Sequence, residues 1–268
     1  MANCETDEER RRTDEIIRPI LRGRDIKKYG YHWGNLWLIA TFPSRNYDIE
    51  AFPAIKKYLL SFAKELLIDN GYQWVAENYL SEYCYKRLEQ SGEKIHIDGK
   101  LISFSKNERA RKKTNNKWFE LQDNINYWDL LHQPKIIWGE ISDKSKFCID
   151  VNGKYYPEAT TFMLSGDNLY FLLAFLNCTV SEYIFSKIGT TTGVGTVRWK
   201  KYKIFDLFVP IKLTDFQKDK IICFCKEIVL LRQKSIDASA LENQLNQYIY
   251  DIYNLTNEEI EFIERLLL

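Results

Sequence analysis

The sequence predicts an α+β fold: a mixed, hairpin-rich sheet domain with packed helices and a C-terminal helical tail. Three observations lead there. Between Pro134 and Leu164, short branched and aromatic runs alternate with turn signals, the pattern of hairpin-connected strands. Apolar residues at three- and four-residue spacing mark helices over Ala54 to Leu67 and from Leu169 to Ile184. After Pro210 the period is helical throughout, and two capping boxes, Thr214 with Gln217 and Thr256 with Glu259, mark helix starts.

Taken in order, residues 1–15 are polar and lack apolar period, which reads as a frayed leader. Ile16 to Leu21 reads as a short extended segment, and Arg22 to Tyr29 as a tight basic turn. Tyr31 to Thr41, with Trp33, Leu36, Trp37 and Ile39, has the content of a strand. The helix over Ala54 to Leu67 ends before Asn70-Gly71, and a second spans about Val75 to Gln90. From Ser91 to Lys117 there is little helical period. Pro134 to Ile141 reads as a buried strand and Lys146 to Asp150 as another. Asn152-Gly153 is a hairpin signal, because Asn-Gly tolerates the positive φ of the favoured two-residue turn. Tyr155-Tyr156 and Thr160 to Leu164 continue the sheet. A single helical face then carries Leu169, Leu172, Leu173, Leu176, Val180 and Ile184 into the core. That helix delivers the loop Gly189 to Val197, whose glycines let the backbone approach a partner closely, and a basic strand from Arg198 to Lys203. In the tail, Ile221, Cys225 and Ile228 share one helix, and Leu241, Leu245, Tyr248 and Ile249 the next. The chain therefore divides into residues 1–15, a main domain over 16–212, and a helical segment over 213–268.

At 268 residues the chain has ample core for one large or two modest domains. Its net charge of +1 excludes a uniformly basic polyelectrolyte, so affinity for a polyanion has to come from local clusters. The 17 tyrosines and seven tryptophans suit broad half-buried surfaces. Six scattered cysteines without a Cys-x-x-Cys pair argue against a zinc ribbon or disulfide framework and for a reducing cytoplasm. Cys223 and Cys225, two apart on a helix, do not share a face. No apolar signal core follows Met1, and the greasiest window is interrupted by Asn177, Ser181 and Glu182, so neither a signal peptide nor a membrane span is expected.

Catalytic patterns are missing. A methyltransferase needs a glycine-rich turn from strand to helix for its cofactor, whereas Gly193 to Gly195 follows a helix and precedes a basic strand; Asn-Pro-Pro-Tyr is absent. A metal nuclease needs clustered carboxylates with a lysine nearby. There is no Glu-x-Lys triplet, and Asp25-Ile-Lys27 and Asp98-Gly-Lys100 are matches short enough to arise by chance. His32, His96 and His132 stand isolated. No catalytic, cofactor or metal residue is assigned.

Two basic-aromatic clusters remain. Lys106, Arg109, Arg111, Lys112, Lys113 and Lys117 stand against one acid, Glu108, and lead into Trp118-Phe119. Between Lys187 and Lys203 there are five basic residues and no acidic one, interleaved with Trp199 and Tyr202. One reading is polyanion binding, with cations on phosphates and rings offering stacking surfaces. The other is a pair of solvated charged faces.

Several segments together resemble the TaqI-like C-terminal specificity, or target-recognition, domain of bacterial restriction-modification enzymes. They are Ile17 to Ile26 with Tyr29, Pro53 to Leu59, Trp118 to Leu121, Pro134 to Trp138, Leu173 to Asn177, Lys200 to Tyr202 with Val209-Pro210, and the tail from Tyr248 to Glu259. The resemblance implies a recognition domain that reads a short duplex DNA sequence in a phage-defence setting. Such a domain positions an attached or partner adenine-type methyltransferase, and in some members a nuclease. S-adenosylmethionine and magnesium would serve only those catalytic domains, which this chain lacks, as an excised fragment or one subunit of a split system would. Residues 16–212 become the DNA target-recognition domain. Its expected DNA contacts are Lys106, Arg109, Arg111, Lys112, Lys113, Asn115 and Lys117 in one cluster, and Thr190, Thr191, Thr192, Arg198, Trp199, Lys200, Lys201 and Lys203 in the other. The lysines anchor phosphates, Arg109, Arg111 and Arg198 contact guanine, and the threonines and Asn115 supply shorter hydrogen bonds. The competing expectation is a protein-interaction module whose helices from Thr214 to Leu268 dock on a methyltransferase subunit.

Overall fold

The computed structural model describes residues 1–59, 94–97, 100–103, 116–117, 119–191 and 196–267. The expected helix over 75–90 and most of the first basic cluster lie outside them. The chain forms two compact units, Met1–Arg18 with Leu38–Asn126, and Pro19–Trp37 with Tyr127–Leu268.

In the first unit the polar start is ordered into a helix, α1 (Asp7–Ile16), in place of the expected frayed leader. Thr6 caps it through its side chain, three acids occupy its first turn, and Ile16 is fully buried at its end. Glu9 turns inward because its carboxylate accepts the backbone N–H groups of Ala54 at 2.8 Å and Glu5 at 2.9 Å. Those bonds, that from Ala54 first, hold its acidity below the ordinary glutamate value. Ile16 packs with Ile49, Phe52, Ile55 and Phe119. Residues 53–59 are helical, as expected of that segment as far as it is described.

From α1 the chain runs into β1 (Ile17–Leu21), then β2 (Ile26–Lys27) and β3 (Gly30–Tyr31), an antiparallel pair, and on to β4 (Trp37–Ile39). The long strand expected over Tyr31 to Thr41 is thus two short pieces, parted by an irregular loop in which Asn35 adopts a positive φ of 53°. A hairpin of β5 (Lys94–Ile97) and β6 (Lys100–Ser103) follows, Ile97 opposite Lys100. The sequence reading assigned nothing there, although Asp98-Gly99 between two apolar runs is the hairpin signal.

A short helix, α2 (Trp128–Leu131), opens the main part of the second unit. β7 (Lys135–Gly139) is followed by β8 (Ile141–Ser142) and β9 (Phe147–Asp150), then β10 (Tyr156–Pro157) and β11 (Thr161–Ser165). β7 lies between β11 and β9, antiparallel to both, and all five of its residues are buried. Its unbroken burial agrees with the sequence reading of a buried strand, and shows the strand covered on both faces. Lys135 is tolerated there because Asp150 meets it at 2.7 Å and the Leu131 carbonyl accepts from it at 2.7 Å. Burial still pulls the lysine below its ordinary value, against the pull of Asp150.

The Asn152-Gly153 turn forms, with Gly153 at a φ of 61°, but it does not close a hairpin. Asp150 accepts the backbone N–H groups of Lys154 and Tyr155 at 3.0 and 2.7 Å, folding the turn around its carboxylate. β10 then pairs in parallel with β1, Ile20 opposite Tyr156. A Cβ on Gly153 would lie 2.1 Å from the His132 carbonyl oxygen, so the turn needs glycine for space as well.

The single helix expected from Leu169 to Ile184 is two, α3 (Leu169–Asn177) and α4 (Thr179–Ile188), bent by 66°. Asn177 and Cys178 cause the break. The Asn177 side chain accepts from the Phe147 N–H at 3.0 Å and donates to the Phe147 carbonyl at 2.9 Å, satisfying the edge of β9. Cys178 is extended, and its Sγ caps α4 by accepting the Ser181 N–H at 3.4 Å. Both helices pack into the main core. The next pieces are β12 (Thr190–Thr191), β13 (Val197–Arg198) and α5 (Lys201–Ile204), then the tail helices α6 (Asp215–Gln233), α7 (Ser239–Ile252) and α8 (Asn257–Leu267). Both predicted capping boxes are present: Gln217 and Thr214 exchange bonds of 3.2 and 2.9 Å, Glu259 and Thr256 bonds of 3.3 and 2.8 Å. α6 packs on α3 and on α7, so the tail completes the core of this unit. Cys225 is buried and Cys223 exposed, on different faces of α6.

Candidate nucleic-acid interface

The second basic cluster is built on a small sheet in the second unit. β13 pairs with β12 on one side and β8 on the other, Arg198 opposite Thr190 and Ile141. Gly189 brings the chain into this sheet through a crowded corner. A Cβ there would lie 2.4 Å from a Val197 methyl and 2.7 Å from the Phe185 carbonyl.

Sequence order then misleads about what faces out. The expected basic strand stops at Arg198, and α5 begins after Lys200. Trp199 is 3% exposed and stacks on Phe185, with centroids 3.9 Å apart and planes 5° from parallel. Its backbone carbonyl accepts the Trp138 indole N–H at 2.8 Å. It is a core residue and offers no stacking surface to a ligand, which corrects its place among the expected DNA contacts. Arg198 forms an ion pair with Glu140 at 2.8 Å, which Lys200 approaches at 3.7 Å. Lys203 pairs with Asp206 at 3.7 Å, while Lys201 is exposed.

Beside this sheet lies a cleft of about 700 Å³. Its walls are the turn Arg22 to Lys27, the segment Gly139 to Asp143 with Lys146, Glu158 with Thr160, and Thr196. The turn is rigid for stated reasons. Asp25 is 5% exposed and accepts from the Arg22 backbone N–H, Nε and terminal nitrogen at 3.0, 2.9 and 2.8 Å. The Arg22 side-chain bond holds Asp25 below the ordinary carboxylate value and Arg22 above its own. Two glycines let the turn reach β7: a Cβ on Gly139 would stand 3.0 Å from the Gly23 Cα. Lys146 pairs with Asp143 at 2.5 Å, and that bond lowers the Asp143 value.

Of the expected contacts, Arg198, Lys200, Lys201 and Lys203 come together with Thr190 around this sheet; Thr191 is described here only by its backbone. Lys117 belongs to the first unit, where its amine reaches the Tyr47 carbonyl at 3.4 Å and lies 5.7 Å from the centre of the Phe119 ring. Lys106, Arg109, Arg111, Lys112, Lys113, Asn115 and Thr192 lie outside the described residues. Two features escaped the sequence reading. Glu140 stands 58 residues from its partner Arg198, a separation that no local pattern reveals. The turn itself was read, but not the lock inside it, Asp25 gripping Arg22 three residues before it. Among the described residues no three His, Cys, Asp or Glu side chains converge as a cation site. His132 is satisfied structurally, its ring nitrogens 3.0 Å from the Trp128 carbonyl and 3.0 Å from the Tyr156 hydroxyl. Among the described residues no single helix is long and apolar enough to cross a membrane.

The segment that holds β7 to β11, the bent helices and the β12–β13 sheet also matches a family model, that of the TaqI-like C-terminal specificity domain, over residues 89–211. Residues 89–211, a little under half of the chain, are similar to that domain. The family is described as a specificity domain, the part of such enzymes associated with DNA sequence choice. The match ends before α6 and leaves the turn Arg22 to Lys27 outside it. No curated protein matches the chain.

Proposed function

We propose that this chain reads a short duplex DNA sequence and positions an adenine-type DNA methyltransferase or restriction nuclease, attached or as a partner subunit. The observation that carries the reading is the specificity-domain match across the sheet that holds Arg198 and the helix start that follows it with Lys200 and Lys201. Lys200, Lys201 and Lys203, with Lys106, Lys112, Lys113 and Lys117, anchor phosphates. Arg109, Arg111 and Arg198 contact guanine edges, and Thr190, Thr191, Thr192 and Asn115 add short hydrogen bonds. S-adenosylmethionine and magnesium belong to the catalytic partner. The test is binding to a pooled random duplex library at two salt concentrations, followed by sequencing of the retained DNA. An enriched motif that survives the higher salt is expected, since specific binding exceeds non-specific by about a thousandfold or more. Retention without any motif at either salt removes sequence reading from this chain.

A second reading, docking on a methyltransferase subunit, is favoured by one observation. Phe205, Phe208, Ile211 and Phe216, within twelve residues of each other, are each 72–83% exposed. Serine at the first three positions separates the readings: partner binding falls if they dock, and duplex affinity is unchanged.

A further inference from the structure

The turn Arg22 to Lys27 displays two cations that the fold does not use. Arg24 and Lys27 are exposed, and neither takes part in an ion pair among the described residues; Lys27 reaches only the Arg24 carbonyl, at 3.4 Å. The neighbouring cations differ. Arg22, Lys146, Arg198 and Lys200 are each neutralised by an internal carboxylate. The turn that displays Arg24 and Lys27 is also held from several sides, by the Asp25 bonds, by the Gly23–Gly139 approach, and by the His32 N–H donating to the Asp25 carbonyl at 2.7 Å.

An aromatic loop is seated on the same turn. Gly34 fits against Arg22 so closely that a Cβ would meet the guanidinium at 2.0 Å. Next to it Trp33 makes edge contacts with Trp37 at 5.0 Å and Tyr155 at 5.8 Å, and exposed Lys154 lies 5.9 Å from its ring centre. Trp37 ends the row 53% exposed. Exposed cations on a rigid support, with an exposed indole on the loop seated against it, are the elements of a nucleic-acid contact: amines and guanidinium for phosphates, a flat ring for sugar or base.

We infer that Arg24 and Lys27, with Trp37 on the loop seated against their turn, make a second duplex-DNA contact, on the cleft beside the Arg198 sheet and outside the matched segment. It rests on the DNA reading above and adds anchors to it. Arg24 and Lys27 neutralise phosphates, and Trp37 packs against the backbone sugars or a base.

The test compares the full chain with R24E/K27E, R24Q/K27Q and W37A for affinity to the duplex pool across a salt series. Arg22 and Asp25 are left intact, and thermal melting confirms that each variant is folded. For R24Q/K27Q the slope of log affinity against log salt is expected to flatten by about 1.8, about 0.9 for each phosphate no longer neutralised. R24E/K27E is expected to lose affinity about tenfold or more at low salt, and W37A about fivefold or more, the lower end of what one stacked ring supplies. Wild-type affinity and slope in all three variants, with the parent chain binding duplex, overturn the inference and leave the DNA reading standing. A parent chain that binds no duplex removes both. Retention of the parent on polyglutamate in preference to duplex assigns the surface to an acidic protein partner and overturns it.

Discussion

Two basic stretches of the second unit, Arg198 to Lys203 and Arg22 to Lys27, look alike in sequence and differ in the folded chain. In the first, the ring between the cations is core, Arg198 and Lys200 answer to Glu140, Lys203 answers to Asp206, and Lys201 is exposed. In the second, one arginine is spent on holding the turn, and Arg24 and Lys27 project from it. The difference teaches that a run of positive charge describes potential and not availability. Whether a cation can meet a phosphate depends on the acid that the topology brings beside it, and for Arg198 that acid comes from the residue between β7 and β8.

Trp199 gives the largest test of this contrast. Replacing it with alanine is expected to cost about 3–5 kcal/mol, as for large aromatic truncations in cores, read as a lower denaturation midpoint. A stability change near zero would return the ring to the surface and make the two stretches equivalent. The turn answers to a smaller change. D25N keeps an acceptor oxygen and loses the charge that Arg22 grips. The cost is expected to be about 1–3 kcal/mol at neutral pH, from charge-assisted hydrogen bonds. The sign with pH follows from the depressed folded value of Asp25. Its contribution is complete above the unfolded value of about 4 and fades only as pH falls through the lower folded one. The gap between wild type and D25N in denaturant titrations is therefore constant from weakly acidic to neutral pH and narrows in stronger acid. A gap that widens on acidification contradicts the ion pair.

Much of the fold was legible because its causes are local. The capping boxes at Thr214 and Thr256 need only four residues each, and β7 announces itself as the apolar run Ile136 to Gly139 after Pro134-Lys135. The family resemblance was legible in the order of weak motifs. Three of the misreadings depend on distant partners. The break at Cys178 comes from an amide that satisfies Phe147 thirty residues away and from a thiol acting as a cap, and neither alters the apolar period from Leu169 to Ile184. The Asn152-Gly153 turn was read correctly as a turn and wrongly as a hairpin, because β1, at the other end of the sequence, takes the following strand. Trp199 sits among lysines in sequence, and only Phe185 and Trp138 in space identify it as interior.

The smallest expected effect on stability makes the sharpest comparison between the two stretches. Glu140 holds Arg198 and Lys200 through a partly exposed ion pair, with side chains 42% and 24% exposed for Arg198 and Glu140. Pairs of that exposure contribute about 0–1 kcal/mol, so E140Q should melt close to wild type. The amide removes the negative charge while keeping a side chain that can accept from Arg198. Two cations are then released toward any phosphate within reach, and duplex affinity at low salt is expected to rise, with a steeper salt dependence by about 0.9 for each cation that engages. If Glu140 instead orients Arg198 for a base edge, E140Q would raise non-specific binding while weakening the enriched motif. In either case the Arg198 stretch comes to behave like the Arg22 turn, with cations available to a ligand. Unchanged affinity and slope in E140Q would mean that DNA does not engage Arg198 or Lys200, leaving Arg24 and Lys27, with exposed Lys201, as the cations of the two stretches to be tested.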